Sequence, residues 1–202
     1  MVVIGGLGSV RSLRPLLPKS ATYLPLPAFS GPALPRYRPG DLADALDALL
    51  PPESCVVVGV SLGGAIALAM RSPWVSYVVA LDPPLHPETS DVLMAQVRAA
   101  ILPLRPDLAP FFAEALSEYP IRTKAPAWVV VGDFHGDGAM PTLCSSRDRR
   151  RLEAAGARLV LAPGAGHDVA GFAPKAVADI LTACLHDDGP DPPSTDHEKG
   201  GG

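Results

Sequence analysis

The sequence has few of the features that mark disulfide-rich, membrane-spanning or nucleic-acid-binding proteins. Its three cysteines, Cys55, Cys144 and Cys184, are odd in number, and their spacing fits neither a disulfide framework nor a metal site. No stretch approaches the roughly 18 consecutive apolar residues of a membrane span. A net charge of −4 gives no basis for binding nucleic acid or an anionic membrane surface. We therefore expect free thiols, no membrane span and no nucleic-acid partner.

The amino-terminal residues also lack the basic region and long apolar segment of a secretory signal. Together with the few cysteines, this predicts a cytoplasmic protein. The chain is rich in apolar residues, since 48% of its 202 residues are hydrophobic. This length and composition predict one well-packed domain over residues 1–186. Residues 187–202 are polar and without apolar periodicity, and are predicted to form a disordered tail.

Short β-branched runs alternate with helical patterns along the chain. An apolar repeat interrupted by prolines over residues 90–119 predicts two or three short helices. The alternation predicts an α/β fold, a single doubly wound, mostly parallel sheet of about six strands with helices on both faces. The predicted strands are 2–4, 22–24, 55–58, 75–81, 128–131 and 158–161, and the other predicted helices are 39–50, 64–70 and 174–185.

The pentapeptide Gly59-Val60-Ser61-Leu62-Gly63 lies between a predicted buried strand and a helix that opens with small residues. A G-x-S-x-G nucleophile elbow requires this setting, because glycines beside the serine leave room for a sharp and strained turn. The pentapeptide alone is weak evidence, since a glycine-rich turn of a Rossmann-like domain gives the same pattern. Later segments supply a carboxylate and a histidine in the chain order Ser, Asp, His, which is the α/β-hydrolase order.

Over roughly residues 1–185 the chain resembles an α/β-hydrolase, in the form of a compact serine esterase or thioesterase. The elbow is the first matching segment, and Gly166-His167 matches the family's histidine loop. The segment 137–141 resembles its acid loop, in which an aspartate precedes a proline by four residues. The resemblance implies a helical lid, here the insertion at about 86–122.

The resemblance implies that Ser61 is the nucleophile and that His167 is its general base and acid. Asp137 is the expected partner of His167 because of its spacing to Pro141. Two other carboxylates stay open as alternatives. Asp133 lies one residue past its predicted strand, and Asp82 lies at the end of the preceding strand, to which the acid can migrate in this fold.

The first glycine loop, residues 5–8, resembles the family's oxyanion loop, with Gly5 in the usual place of a histidine. This implies an oxyanion hole formed by the backbone amides of Leu7 and Leu62. In the insertion, the apolar residues Phe111, Phe112, Leu93 and Val97 have two interpretations. They either pack structurally or line an acyl pocket under the lid.

The expected function is hydrolysis of a small-molecule carboxylic ester or thioester through an acyl-enzyme, with no cofactor and no metal. A metal site formed by His135, Asp133 and Asp137 has no second histidine to support it. Alternatives are an acyltransferase or a cofactor-free oxidoreductase on the same scaffold, and a non-catalytic small-molecule receptor. The choice between ester and thioester, the acyl length, the role of His135 and the oligomeric state stay open.

Overall fold

Six parallel strands form one open sheet in the computed structural model, which describes residues 1–7, 10–86, 91–133 and 140–186. The spatial order of the strands is β2-β1-β3-β4-β5-β6, and every neighbouring pair is parallel. This confirms the predicted α/β sheet. The strands are β1 (Val2–Ile4), β2 (Thr22–Leu24), β3 (Cys55–Val60), β4 (Val75–Leu81), β5 (Ala127–Gly132) and β6 (Arg158–Ala162).

Seven α-helices occur in the described ranges, together with 3₁₀ turns at Arg14–Leu16 and Pro106–Leu108. None of these helices is long and apolar enough to cross a membrane. The predicted tail, 187–202, lies outside the described residues. The helices are α1 (Pro39–Asp47), α2 (Leu62–Ala69), α3 (Asp91–Ile101), α4 (Ala109–Glu114), α5 (Ser146–Ala154), α6 (Val169–Phe172) and α7 (Pro174–His186).

The sheet buries both of its faces, as a parallel sheet covered by helices does. Alternate side chains of β3 enter different hydrophobic clusters: Val57 packs in the cluster that holds α1 and α2, and Val56 and Val58 pack in the cluster that holds α7. A strand buried on both faces needs a continuous run of apolar residues, which is why β3 is nearly all valine. The carboxyl ends of the parallel strands lie along one edge of the sheet, and the loops that follow them meet there.

The insertion between β4 and β5 contains α3 and α4 and packs through an aromatic cluster. Phe111 and Phe112 are buried, and their ring centroids lie 4.9 and 6.1 Å from that of Phe29. Tyr37 completes the cluster, with its centroid 5.5 Å from Phe111. These edge-to-face contacts fix α4 against the segment before α1.

A buried polar network ties both ends of this insertion to α5. His86 and Asp148 are fully buried, with His86 Nδ1 2.5 Å from Asp148 Oδ1. His86 Nε2 lies 3.3 Å from Glu118 Oε1, which in turn lies 3.1 Å from an Arg151 nitrogen. Buried polar groups are costly unless they are paired, so these contacts hold the insertion in place. No motif in the sequence indicates this network.

Candidate active site

Ser61 lies at the turn between β3 and α2 and has a backbone conformation that few non-glycine residues adopt. Its φ is 55° and its ψ is −124°. Such conformations cost on the order of 1–3 kcal/mol and persist only where surrounding contacts impose them. Here the Ser61 N–H donates to Leu81 O at 2.8 Å, and Ser61 O accepts from the Gly64 N–H at 2.8 Å. This strained strand–turn–helix has the form of a nucleophile elbow.

Close backbone contacts explain the glycines around Ser61. A Cβ on Gly63 would lie 2.2 Å from Ile4 O, and a Cβ on Gly59 would lie 2.3 Å from Gly63 O. A Cβ on Gly6 would lie 2.8 Å from Ser61 Cβ. Because real Cβ atoms do not approach so closely, glycine at 59 lets β3 and α2 meet at this angle, and glycine at 63 lets α2 pass beside the end of β1. The first glycine loop therefore passes directly beside the serine.

His167 lies on the loop between β6 and α6, and a carboxylate from the neighbouring part of the sheet contacts it. Its Nδ1 is 2.7 Å from Asp82 Oδ2. The His167 side chain is 15% exposed, whereas that of Asp82 is fully buried. Asp82 directly follows β4, and its N–H donates to Val130 O at 2.8 Å, which continues the β4–β5 pairing by one residue. Its φ of 45° turns the chain out of the sheet at this point.

The buried Asp82 carboxylate is surrounded by hydrogen-bond donors. The Thr142 hydroxyl donates to Oδ1, and the Leu143 N–H donates to Oδ2 at 2.7 Å. An ionised carboxylate only accepts hydrogen bonds, so the His167 nitrogen that faces it, Nδ1, carries a proton. The neutral imidazole then has Nε2 unprotonated and available as a base.

Of the other two candidate carboxylates, Asp133 and Asp137, the structure describes only the first. Asp133 is exposed, and its Oδ1 accepts from the Gly164 N–H at 2.7 Å, which is the role of a turn carboxylate. Asp137, like His135, lies outside the described residues. The sequence signal for Asp82 was its place immediately after a predicted strand, but the spacing to Pro141 favoured Asp137.

Ser61 and His167 line one cavity of about 220 Å³. The described lining also includes Gly6, two polar residues, Ser12 and Asp168, and a mostly apolar wall. Phe111 and Phe112 belong to the hydrophobic core, and the described lining of this cavity does not include them. The contacts of Phe111 and Phe112 therefore favour structural packing over lining an acyl pocket. The apolar wall comes instead from Val10, Leu13, Val60, Leu81, Met140, Val169 and Ala170.

The two residues expected to form an oxyanion hole lie in segments that pass next to Ser61. Leu62 is the first residue of α2, where backbone N–H groups have no acceptor within the helix. Leu7 follows Gly6, whose backbone runs beside Ser61. Both amides therefore belong to segments adjacent to the serine.

The three cysteines are buried free thiols, and one of them lies next to the carboxylates. Cys144 comes two residues after Thr142. Its pKa is raised above its ordinary range by burial first, and then by the negative charges of Asp82 and Asp148. The thiol therefore stays protonated at neutral pH and is a poor nucleophile. Within the described ranges, no three His, Cys, Asp or Glu side chains converge as metal ligands do.

Neither a family model nor a curated protein matches this sequence. Solved structures do match, among them E-2-(acetamidomethylene)succinate hydrolase, with 19% identity, a TM-score of 0.66, and coverage of 92% of this chain and 91% of that one. The M. tuberculosis esterase Rv0045c has 20% identity and a TM-score of 0.60, with coverage of 92% and 84%. ClbQ of the colibactin NRPS/PKS pathway has 15% identity and a TM-score of 0.56, with coverage of 92% and 96%.

These similarities, with the single parallel sheet and the turn at Ser61, define the class of protein. The chain has the α/β-hydrolase fold. Because these identities are 20% or less, the similarity supports the fold alone. The chemistry of this protein follows from the residues of its own site.

Proposed function

We propose that this protein is a serine hydrolase that cleaves carboxylic esters or thioesters through an acyl-enzyme on Ser61. One observation carries the proposal. The strained Ser61 shares a cavity with His167, whose Nδ1 lies 2.7 Å from the buried Asp82 carboxylate. A nucleophile, a base, and a carboxylate that fixes the base's tautomer are the three parts that such chemistry needs.

In the proposed first step, Ser61 Oγ attacks the substrate carbonyl carbon while His167 Nε2 takes the hydroxyl proton. The C–O or C–S bond then breaks, and the imidazolium gives its proton to the leaving alcohol or thiol. In the second step His167 Nε2 takes a proton from a water that attacks the acyl-enzyme carbonyl carbon. The bond to Ser61 Oγ then breaks, the imidazolium returns the proton to Oγ, and the carboxylic acid leaves. Asp82 holds the ring and stabilises the imidazolium, in place of the Asp137 that the spacing to Pro141 favoured.

The tetrahedral intermediate needs donors aimed at its negative oxygen. We assign this role to the backbone amides of Leu62 and Leu7. The Leu62 N–H lies at the start of α2, whose dipole also favours negative charge. The absence of one such donor typically raises the barrier by about 3–4 kcal/mol, or 10²-fold to 10³-fold in kcat.

The test of the proposal is labelling with a fluorophosphonate, followed by intact-mass analysis and mapping of the modified tryptic peptide. One stoichiometric adduct on the peptide that contains Ser61 supports an activated nucleophile, and ester and thioester panels then define the reaction. A folded protein that forms no adduct contradicts the proposal and favours the receptor alternative. Acyl transfer to an acceptor other than water would favour an acyltransferase.

Thr142 should act as a positioning residue for Asp82. Thr142→Val keeps the shape of the side chain but removes the hydroxyl donor. Because hydrogen bonds to charged groups contribute about 1.5–3 kcal/mol, we expect kcat to fall about tenfold to 100-fold with little change in KM. Steady-state kinetics with the best ester of the panel measure this. Thr142→Ser is the matched control, since it keeps the hydroxyl, and an equal loss in both variants would contradict the assignment.

A further inference from the structure

The cavity at Ser61 contains a carboxylate that the proposed mechanism does not use. Asp168 follows His167 directly and lines the cavity. Its Oδ1 accepts from the Ser12 hydroxyl at 2.5 Å, and Ser12 lines the same cavity. Of the described lining residues, His167 and Asp168 are the ones with ionisable side chains.

Local contacts hold the Asp168 side chain in place. Asp168 is the N-cap of α6, and its Oδ1 also accepts from the Gly171 N–H at 3.1 Å. Its Oδ2 lies so close to Gly171 that a Cβ there would approach it to 2.5 Å. Oδ1 is thus engaged by two donors, which hold the carboxylate in place beside the cavity.

The Asp168 side chain is exposed, so solvent and dissolved salt screen its charge. Most of the other described lining residues are apolar and offer no side-chain hydrogen bond to a bound molecule. Asp168 is therefore the acidic side chain that a charged group would meet in the described part of the cavity.

We propose that Asp168, held by Ser12, selects the substrates of this site by charge. Esters that place an ammonium or another cationic donor in this cavity are favoured, and esters that place a carboxylate there are rejected. This inference rests on the proposed function and adds to it a substrate class. An ammonium group gains a charge-assisted hydrogen bond to the carboxylate, whereas a second carboxylate meets like-charge repulsion.

The test uses methyl esters that differ in one terminal group, with hydrolysis followed by titration of the released acid at pH 7. β-Alanine methyl ester, methyl butyrate and monomethyl succinate carry an ammonium, a methyl and a carboxylate on the same two-methylene spacer. A second series probes the alcohol side with acetylcholine and its uncharged isostere, 3,3-dimethylbutyl acetate. The measured quantity is the ratio of kcat/KM values within each series.

Asp168→Asn is the decisive variant, because asparagine keeps the N-cap and an acceptor for Ser12 but removes the charge. Relative to wild type, the ratio of kcat/KM values for the ammonium and the carboxylate ester of the first series should fall about tenfold, or the ratio for acetylcholine and its uncharged isostere about fivefold. Intrinsic reactivities of the esters cancel in this comparison. Asp133→Asn is the matched control, since it removes an exposed carboxylate outside the described lining, and its ratios should equal those of wild type. Raising the salt concentration should also reduce the wild-type preference.

The outcomes separate this inference from the proposed function. A charge preference that Asp168→Asn loses and Asp133→Asn keeps supports the inference. Equal ratios in all three proteins, with methyl butyrate hydrolysis that depends on Ser61, overturn the inference and leave the hydrolase proposal intact. Absence of Ser61-dependent hydrolysis for every probe overturns both.

Discussion

Replacing Ser61 with alanine should lower kcat by about 10⁶-fold for every ester or thioester that the wild-type protein hydrolyses. The reason is that the other parts of a triad do little without the nucleophile: His167 and Asp82 then have no hydroxyl to activate. A residual rate above that in water should remain, because the cavity still binds the substrate and the proposed oxyanion amides of Leu7 and Leu62 still polarise its carbonyl. Single-turnover and steady-state kinetics with a sensitive thioester measure this loss, and fluorophosphonate labelling should vanish with it.

Alanine at 61 should not unfold the protein. Alanine is a little smaller than serine, and it relieves none of the strain at φ 55°, so the free energy of unfolding should stay close to that of wild type. Ser117→Ala is the matched control, because Ser117 is exposed and its hydroxyl donates to Glu114 O, away from the cavity. Activity of Ser61→Ala within tenfold of wild type would exclude an acyl-enzyme on this residue.

The sequence predicted the parts of this molecule whose cause is local. A run of valines bounded by turns predicts a buried strand, and the six-stranded parallel sheet is confirmed. The sequence signal for the Ser61 turn is also local, since Gly59 and Gly63 lie within two residues of it, and a Cβ added to either would lie 2.2–2.3 Å from a backbone oxygen. The five-residue pattern at 59–63 is therefore enough to indicate the turn.

The features that the sequence left open or did not predict depend on contacts between distant residues. Asp82 and His167 are separated by 85 positions, and the registers of β4, β5 and β6 bring them together. The spacing of Asp137 to Pro141 contains nothing about those registers. Similarly, an apolar stripe looks the same whether it faces a cavity or the core, so Phe111 was open to two interpretations. The buried pair of His86 and Asp148 is 62 positions apart.

Charge at position 82 provides the sharpest test of the proposed triad. Asp82→Asn should lower kcat by about 10⁴-fold while the fold is kept, because the amide is nearly isosteric with the carboxylate. Oδ1 of Asp82 accepts from Thr142, and Oδ2 accepts from both Leu143 and His167. An asparagine side chain presents one oxygen and one NH₂ group to these donors. In either orientation the negative charge that stabilises the imidazolium is lost. If the NH₂ faces His167, Nδ1 must also accept, so Nε2 carries the proton and no longer serves as a base.

Three variants decide which carboxylate orients His167. Asp82→Asn, Asp133→Asn and Asp137→Asn each remove one negative charge, so a general electrostatic effect would appear in all three. We expect the loss of about 10⁴-fold only in Asp82→Asn, with kcat in the other two within a few-fold of wild type. Thermal unfolding of each variant separates lost chemistry from lost structure. A large loss in Asp137→Asn with an active Asp82→Asn would return the role to the loop after β5. The contact between Asp82 and His167 would then be structural, since it already satisfies a fully buried carboxylate.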